Sequence, residues 1–225
     1  MRLQPSTLVS ISPENCYNGL ETGKERSDQM EEEVEIEYKN ILSPTEYQAL
    51  ISEFEDCEQR IKHLHNMYYD TADRQLKAGG MGLRIRQADN YQHLTLKVRQ
   101  ADQEMREYTE RLSVEDLTAS LAQGRPVIKE SLKHVLAQAG IAWQNLEMIG
   151  QFKTLRRELP YQGQLLVLDA CQFDHYQDYE LEMEVNNSQR GWQVFQNFLE
   201  ERQIERRPAA VKVARMQATV PDYTF

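Results

Sequence analysis

The chain has 225 residues, 40% hydrophobic and 28% charged, enough to bury a sizeable core in one domain or at most two. A formal net charge of −10 argues against a nucleic-acid coat or a general membrane binder, and no apolar run approaches the ~20 residues of a membrane helix. Cys16, Cys57 and Cys171 show no paired spacing, so neither a disulfide framework nor a zinc site is indicated. With no signal-peptide pattern, the expected location is the cytoplasm.

Residues 1–29 are rich in Ser, Asn, Gly, Glu and Lys and lack periodicity, which predicts a disordered or poorly packed extension. A sharper alternative makes Met30 the natural start and the first 29 residues upstream translation, because Lys24-Glu25 could encode a purine-rich ribosome-binding signal. Residues 30–218 are expected to form the domain and 219–225 a tail. Glu33 to Asn40 alternates with period two, as a strand does. Ser43-Pro44-Thr45-Glu46 then reads as a capping box opening a helix whose apolar stripe is Tyr47, Leu50, Ile51 and Phe54. Arg60 to Asp70 is a long strand, followed by a turn at Ala78-Gly79-Gly80. Gly82–Ala88 and Tyr91–Arg99 form a hairpin about Asp89-Asn90, and Met105–Leu112 adds a strand. Val114–Gly140 is mainly helical, with a break near Gly124-Arg125-Pro126. Strands are expected at Glu147–Leu159, Gln164–Phe173 and Tyr179–Val185, and a helix at Ser188–Arg202. Val211–Ala218 is expected to close the sheet. His63 and His65 could share one strand face, but two histidines make no metal site and read as polar strand residues. Many strands joined by short turns, with few helices, predict an α+β chain containing an antiparallel, barrel-like sheet.

The informative feature is a conflict within the strands. Glu35, Glu37 and Lys39 alternate along one strand, Arg84 and Arg86 along another, Thr95 and Lys97 along a third, and Glu180, Glu182 and Glu184 along a fourth. Same-face carboxylates lie about 7 Å apart and repel unless something sits between them. A divalent cation removes that repulsion, since carboxylate oxygen suits Mg²⁺ or Mn²⁺. One such strand alone is an ordinary solvated face. Four together, with apolar residues between the charges, suggest a lumen with an acidic wall and a basic wall, suited to a polyanion bound with its metal.

Residues 33–217 resemble the CYTH family, the triphosphate tunnel metalloenzymes, and in particular its small bacterial triphosphatases. The resemblance rests on Glu35-Ile36-Glu37-Tyr38-Lys39, an E-x-E-x-K strand, with Asn66–Thr71, Leu83–Arg86, Leu94–Lys97 and Asp178–Glu184 following in family order. It implies a closed eight-stranded antiparallel β-barrel, helices packed outside, gripping a triphosphate with Mg²⁺ or Mn²⁺ as cofactor. By that analogy Glu35 and Glu37 are metal ligands, joined by Glu180 and Glu182 and by Asp169 or Glu184. Lys39, Arg84, Arg86, Lys97, Arg156 and Lys212 would contact phosphate, and Glu35, Glu37 and Lys39 would carry catalysis. Arg156 is preferred to Arg157 because Thr154 shares its face. Glu107 matches an acidic tunnel position, although Glu107 and Glu110, three apart, cannot share one strand face. Two positions depart from the family pattern, Val211 in place of Ser and Phe173 in place of Tyr. The implied activity is metal-dependent hydrolysis of inorganic tripolyphosphate or an organic triphosphate. The alternatives are an adenylate cyclase of the same fold and a non-catalytic triphosphate or polyphosphate binder. Neither nucleic acid nor membrane is an expected partner.

Overall fold

In the computed structural model, residues 30–101 and 103–218 are described, so the readings for residues 1–29 and 219–225 lie outside the described residues. The strands are β1 (Glu31–Leu42), β2 (Arg60–Thr71), β3 (Met81–Gln87), β4 (Gln92–Arg99), β5 (Glu104–Arg111), β6 (Leu146–Tyr161), β7 (Gln164–Gln172) and β8 (Gln177–Glu184). The helices are α1 (Pro44–Glu53), α2 (Gln75–Ala78), α3 (Val114–Gln123), α4 (Glu130–Gln138), α5 (Ser188–Glu201) and α6 (Lys212–Gln217). All eight strands close into one antiparallel barrel in the order β1-β5-β4-β3-β2-β6-β7-β8. Closure leaves no sheet edge for another chain to extend. No described helix is long and apolar enough to cross a membrane.

The strand alternation determines which face points inward. Leu83 and Ile85, Leu94 and Leu96, and Leu181 and Met183 are fully buried, and all six pack outside the barrel against helices. One apolar core joins α1 and α5 to β1, β7 and β8 through Leu50, Phe54, Phe195 and Phe198. A second joins α3 and α4 to β2, β3 and β4 through Leu117, Leu132 and Leu136. With the apolar faces taken by helices, the alternate charged residues must face the lumen. The predicted Ser43–Glu46 capping box is present, with Ser43 Oγ accepting from the Glu46 N–H and Glu46 accepting from the Ser43 N–H. Glu110 points out of the barrel and caps α4, accepting from the N–H groups of Lys129 and Leu132 and from the Ser131 hydroxyl. That leaves Glu107 as the tunnel acid.

Two expectations are corrected. Val211–Ala218 forms no strand, since Lys212–Gln217 is α6. Its alternating valines resemble a strand, but Lys212 and Arg215, three residues apart, share a helical face and meet buried carboxylates from that face. The helix closes one end of the barrel, with Met216 seated on Gly150 of β6. A Cβ on Gly150 would lie 2.7 Å from the Met216 methyl, so a side chain there would displace the end of Met216. Cys57 is disulfide-bonded, which the cysteine spacing did not indicate, while Cys171 is a buried free thiol.

Candidate functional site in the barrel lumen

The barrel order sorts the charges that the sequence scatters. Asp169 on β7, Glu180, Glu182 and Glu184 on β8, Glu35 and Glu37 on β1, and Glu107 on β5 occupy consecutive strands. Lys97 on β4, Arg84 and Arg86 on β3, and Arg156 on β6 occupy the remaining arc, with β2 between. Most of these side chains line one cavity of ≈ 710 Å³. The walls are not purely of one sign, because Lys39 lies in the acidic arc opposite Glu182 and Arg156 lies opposite Asp169.

Toward the α6 end, acids and bases neutralise one another. Arg156 donates two parallel hydrogen bonds to Asp169, at 2.8 and 2.7 Å, and a third to Glu182 at 2.6 Å. Lys212 reaches Glu182 at 2.5 Å and Asp169 at 3.0 Å, and also contacts Glu180. Arg215 pairs with Glu180 at 2.8 Å and Asp178 at 3.2 Å. Burial opposes the charges of Arg156, Lys212, Arg215, Asp169 and Glu182, but their partners outweigh it. Arg156 and Lys212 hold Asp169 below its ordinary range, and Lys212, Lys39 and Arg156 hold Glu182 well below. Oxygens of Asp169, Glu180 and Glu182 lie within 4.8 Å of one another, close enough to surround a cation. Three bases already fill that role, so here the cluster is an ion-pair network.

The second group, nearer the opposite end, is less compensated. Glu184 sits directly across the β1–β8 ladder from Glu37. Burial first, and then Glu35, Glu182 and Glu37, push its carboxyl up to about 8 against the opposing pull of Arg156. Among the described residues no cation lies within ion-pair distance of Glu184. Glu35 receives Lys97 at 2.7 Å, and Lys97 also contacts Glu107, which is held at about 2 by that ammonium against its burial. Glu37 receives Lys39 at 2.7 Å, and Lys39 reaches Glu182 at 3.1 Å. Glu35, Glu37 and Glu184 are thus carboxylates that repel one another across this part of the lumen, one of them without an ion pair among the described residues, and carboxylate oxygen is the ligand a hard divalent cation prefers.

Across the lumen the imbalance is reversed. Arg86 donates Nε to Asn66 at 3.1 Å, and burial, Arg84 and Arg156 lower its guanidinium to about 10. Arg84 has a buried Nε without a partner. Neither arginine has a carboxylate within ion-pair distance among the described residues. Two adjacent guanidinium groups without an anion form a natural seat for phosphate oxygens.

The structure therefore brings together Glu35, Glu37, Lys39, Arg84, Arg86, Lys97, Arg156, Asp169, Glu180, Glu182, Glu184 and Lys212, every residue singled out from the sequence. It separates them into a neutralised cluster and a less compensated group in which Glu184, Arg84 and Arg86 have no ion pair among the described residues. Sequence reasoning missed Arg215, Asp178 and Asn66. The parity of Glu180 and Glu182 extends back to Asp178, a signal that was there to use. Arg215 was hidden by reading its segment as a strand. His63, near Asp89 at 3.5 Å, and His65, bonded to Gln151 at 2.9 Å, are polar strand residues as expected.

Comparison with known proteins supports the geometry. The CYTH domain family matches residues 33–216. A protein of Bacillus subtilis (strain 168) named "Putative triphosphatase YjbK" is 32% identical over 187 residues, covering 83% of this chain and 95% of the relative. A crystal structure from Bacillus halodurans, described as a "putative adenylate cyclase", is 28% identical with a TM-score of 0.76, covering 83% of this chain and 99% of that one. A Hippeastrum protein described as a "Putative adenylyl cyclase" with "a dominant triphophatase activity" shares the fold at 24% identity and a TM-score of 0.69, covering 82% of this chain and 94% of that one. With its charged lumen, closed eight-stranded barrel and a match over nearly all the described residues, this chain belongs to the CYTH domain family.

Proposed function

We propose that this protein is a metal-dependent triphosphatase that hydrolyses a phosphoanhydride bond of a triphosphate held in the barrel lumen. The observation that carries the reading is the complementary imbalance among the described residues: Arg84 and Arg86 with no carboxylate within ion-pair distance, facing Glu35, Glu37 and Glu184, of which Glu184 has no ion pair. A metal triphosphate supplies both missing charges at once. Glu35, Glu37 and Glu184 would hold Mg²⁺ or Mn²⁺, which when bound neutralises phosphate charge and makes a water molecule a stronger nucleophile.

Phosphoryl transfer to water depends mainly on positioning and charge stabilisation. Arg84, Arg86 and Lys97 orient the phosphates and offset charge that builds on their oxygens. Arg156, Lys39 and Lys212 are paired with carboxylates and would add positive charge behind the phosphates. A lumen glutamate would take the proton of the attacking water. The bacterial relative's name agrees with this chemistry.

The test is a phosphate-release and cyclic-nucleotide assay over tripolyphosphate, thiamine triphosphate and nucleoside triphosphates, with Mg²⁺ and Mn²⁺ in turn. Orthophosphate release dependent on metal is expected. Pyrophosphate with cyclic nucleotide would instead make the protein a cyclase, and binding with no product from any triphosphate would make it a binder.

A further inference from the structure

Resting on the triphosphate reading, we infer that Asn66 is a positioning residue: from β2 it holds the Arg86 guanidinium in one orientation, with its charge intact, for an anion in the lumen. Asn66 and Arg86 are direct partners across the β2–β3 ladder. Arg86 donates Nε to Asn66 Oδ1 at 3.1 Å, and Asn66 donates Nδ2 to the Thr154 hydroxyl of β6 at 3.3 Å. Thr154 in turn lies 3.7 Å from the Cys171 thiol on β7. Burial pushes that thiol up, so it brings no charge to the series. Arginine only donates, so Oδ1 must face Arg86 and the amide has a single orientation. Bound at Nε, the planar fork keeps its two terminal nitrogens for an anion.

The choice of an amide matters. An aspartate at this position would give Arg86 an ion pair inside the chain, as Asp169 does for Arg156. The neutral oxygen of Asn66 orients the guanidinium without cancelling its charge. Arg86 lines the lumen cavity, whereas Asn66 is 1% exposed and does not line it, so Asn66 reaches a ligand only through Arg86. Arg84 supplies the contrast. It faces Tyr68 across the same ladder, and its buried Nε has no partner. The bland alternative is that Asn66 serves folding alone. In that case ligand affinity would follow stability from variant to variant, and the two can be measured apart.

Calorimetric binding of tripolyphosphate, with Ca²⁺ in place of Mg²⁺, and chemical denaturation of the same variants test the inference. Asn66→Ala should raise Kd roughly tenfold, the loss of one hydrogen bond to a charged group. In an Arg86→Ala background the same substitution should change Kd less than about twofold, because nothing is left to position. Asn66→Asp separates binding from stability. It keeps the shape of the amide, and its ion pair with Arg86 should leave the denaturation midpoint at or above the wild-type value. It should still raise Kd roughly tenfold or more, by taking the Arg86 charge and repelling phosphate. If Asn66→Ala does not fold, the aspartate variant decides alone. Wild-type affinity in Asn66→Asp, weakening only where the midpoint also falls, or an equal loss from Asn66→Ala with and without Arg86 overturns the positioning role and leaves the triphosphate reading intact. A wild-type protein that binds no tripolyphosphate overturns both.

Discussion

The two ends of the lumen contain the same residue types in opposite states. Near α6, Asp169, Glu180 and Glu182 are crossed by Arg156, Lys212 and Arg215, and every charge has a partner inside the chain. Toward the other end, among the described residues, Glu184 has no base within ion-pair distance, and Arg84 and Arg86 have no acid within it. Fully satisfied buried networks rigidify and specify a structure, whereas uncompensated buried charge costs folding free energy unless something from outside completes it. A count of carboxylates would make Asp169, Glu180 and Glu182 the best metal site in the molecule. Sorted by partner, Glu184 stands apart, since Glu35 and Glu37 pair with Lys97 and Lys39 and only Glu184 has no ion pair among the described residues.

The largest expected effect sets the two groups against each other. Arg215 is almost wholly buried between Asp178 and Glu180, so Arg215→Met removes the guanidinium from both carboxylates and leaves Glu180 with Lys212 alone. Chemical denaturation should show a loss of about 3–5 kcal/mol. Glu37→Gln should do the reverse, abolishing metal-dependent turnover while leaving the denaturation midpoint near or above the wild-type value. If Arg215→Met is as stable as wild type, or Glu37→Gln keeps full turnover, the division into structural and ligand-binding charge is wrong.

A smaller effect comes from supplying the missing charges. Ligand that binds only the folded form should stabilise it by about 2–3 kcal/mol at ~100 times its Kd. Tripolyphosphate with Ca²⁺ should therefore raise the melting temperature, and monophosphate at equal concentration should raise it much less, since one phosphate cannot span Arg84, Arg86 and Lys97. Equal shifts with both anions would indicate general ionic screening. Within the basic arc, Arg84→Ala removes a charged donor and should weaken tripolyphosphate binding roughly 10- to 100-fold. Arg157→Ala, on the outward face of β6 against Gln59, should leave it unchanged and serves as the control.

Local pattern made the elements and the inward turn of the charges legible. The Ser43 capping box, the Asp89-Asn90 hairpin and the alternation in β1, β3, β4 and β8 depend on neighbours along the chain. The state of each charge does not. Lys39 and Glu182, or Arg156 and Asp169, meet only because the barrel closes, and no spacing along the chain records that contact. Glu107 and Glu110 show the same limit. Alternation proves that only one can face the tunnel, but the choice depends on α4, whose first turn takes Glu110 as its cap. The segment at α6 was misread because two valines flanking a lysine fit a strand, and the buried acids that favour a helix there come from β7 and β8.

The last effect is that of a proton. Glu184 titrates at about 8 in the folded protein, against 4.5 for an ordinary glutamate. Between those two values the folded state holds a proton that the unfolded chain has released. Stability therefore falls as pH rises through that window, and levels off above the folded value. The slope from this single group is at most about 1.4 kcal/mol per pH unit. Glu184→Gln cannot titrate, so in EDTA its stability should gain on wild type between about pH 5 and pH 8. Divalent metal should remove the difference from the wild-type side, because a cation replaces the proton and binding releases up to one proton near neutral pH. Parallel pH–stability curves for the two proteins in EDTA would mean that Glu184 is an ordinary carboxylate. The contrast between the two ends of the lumen would then rest on the arginines alone.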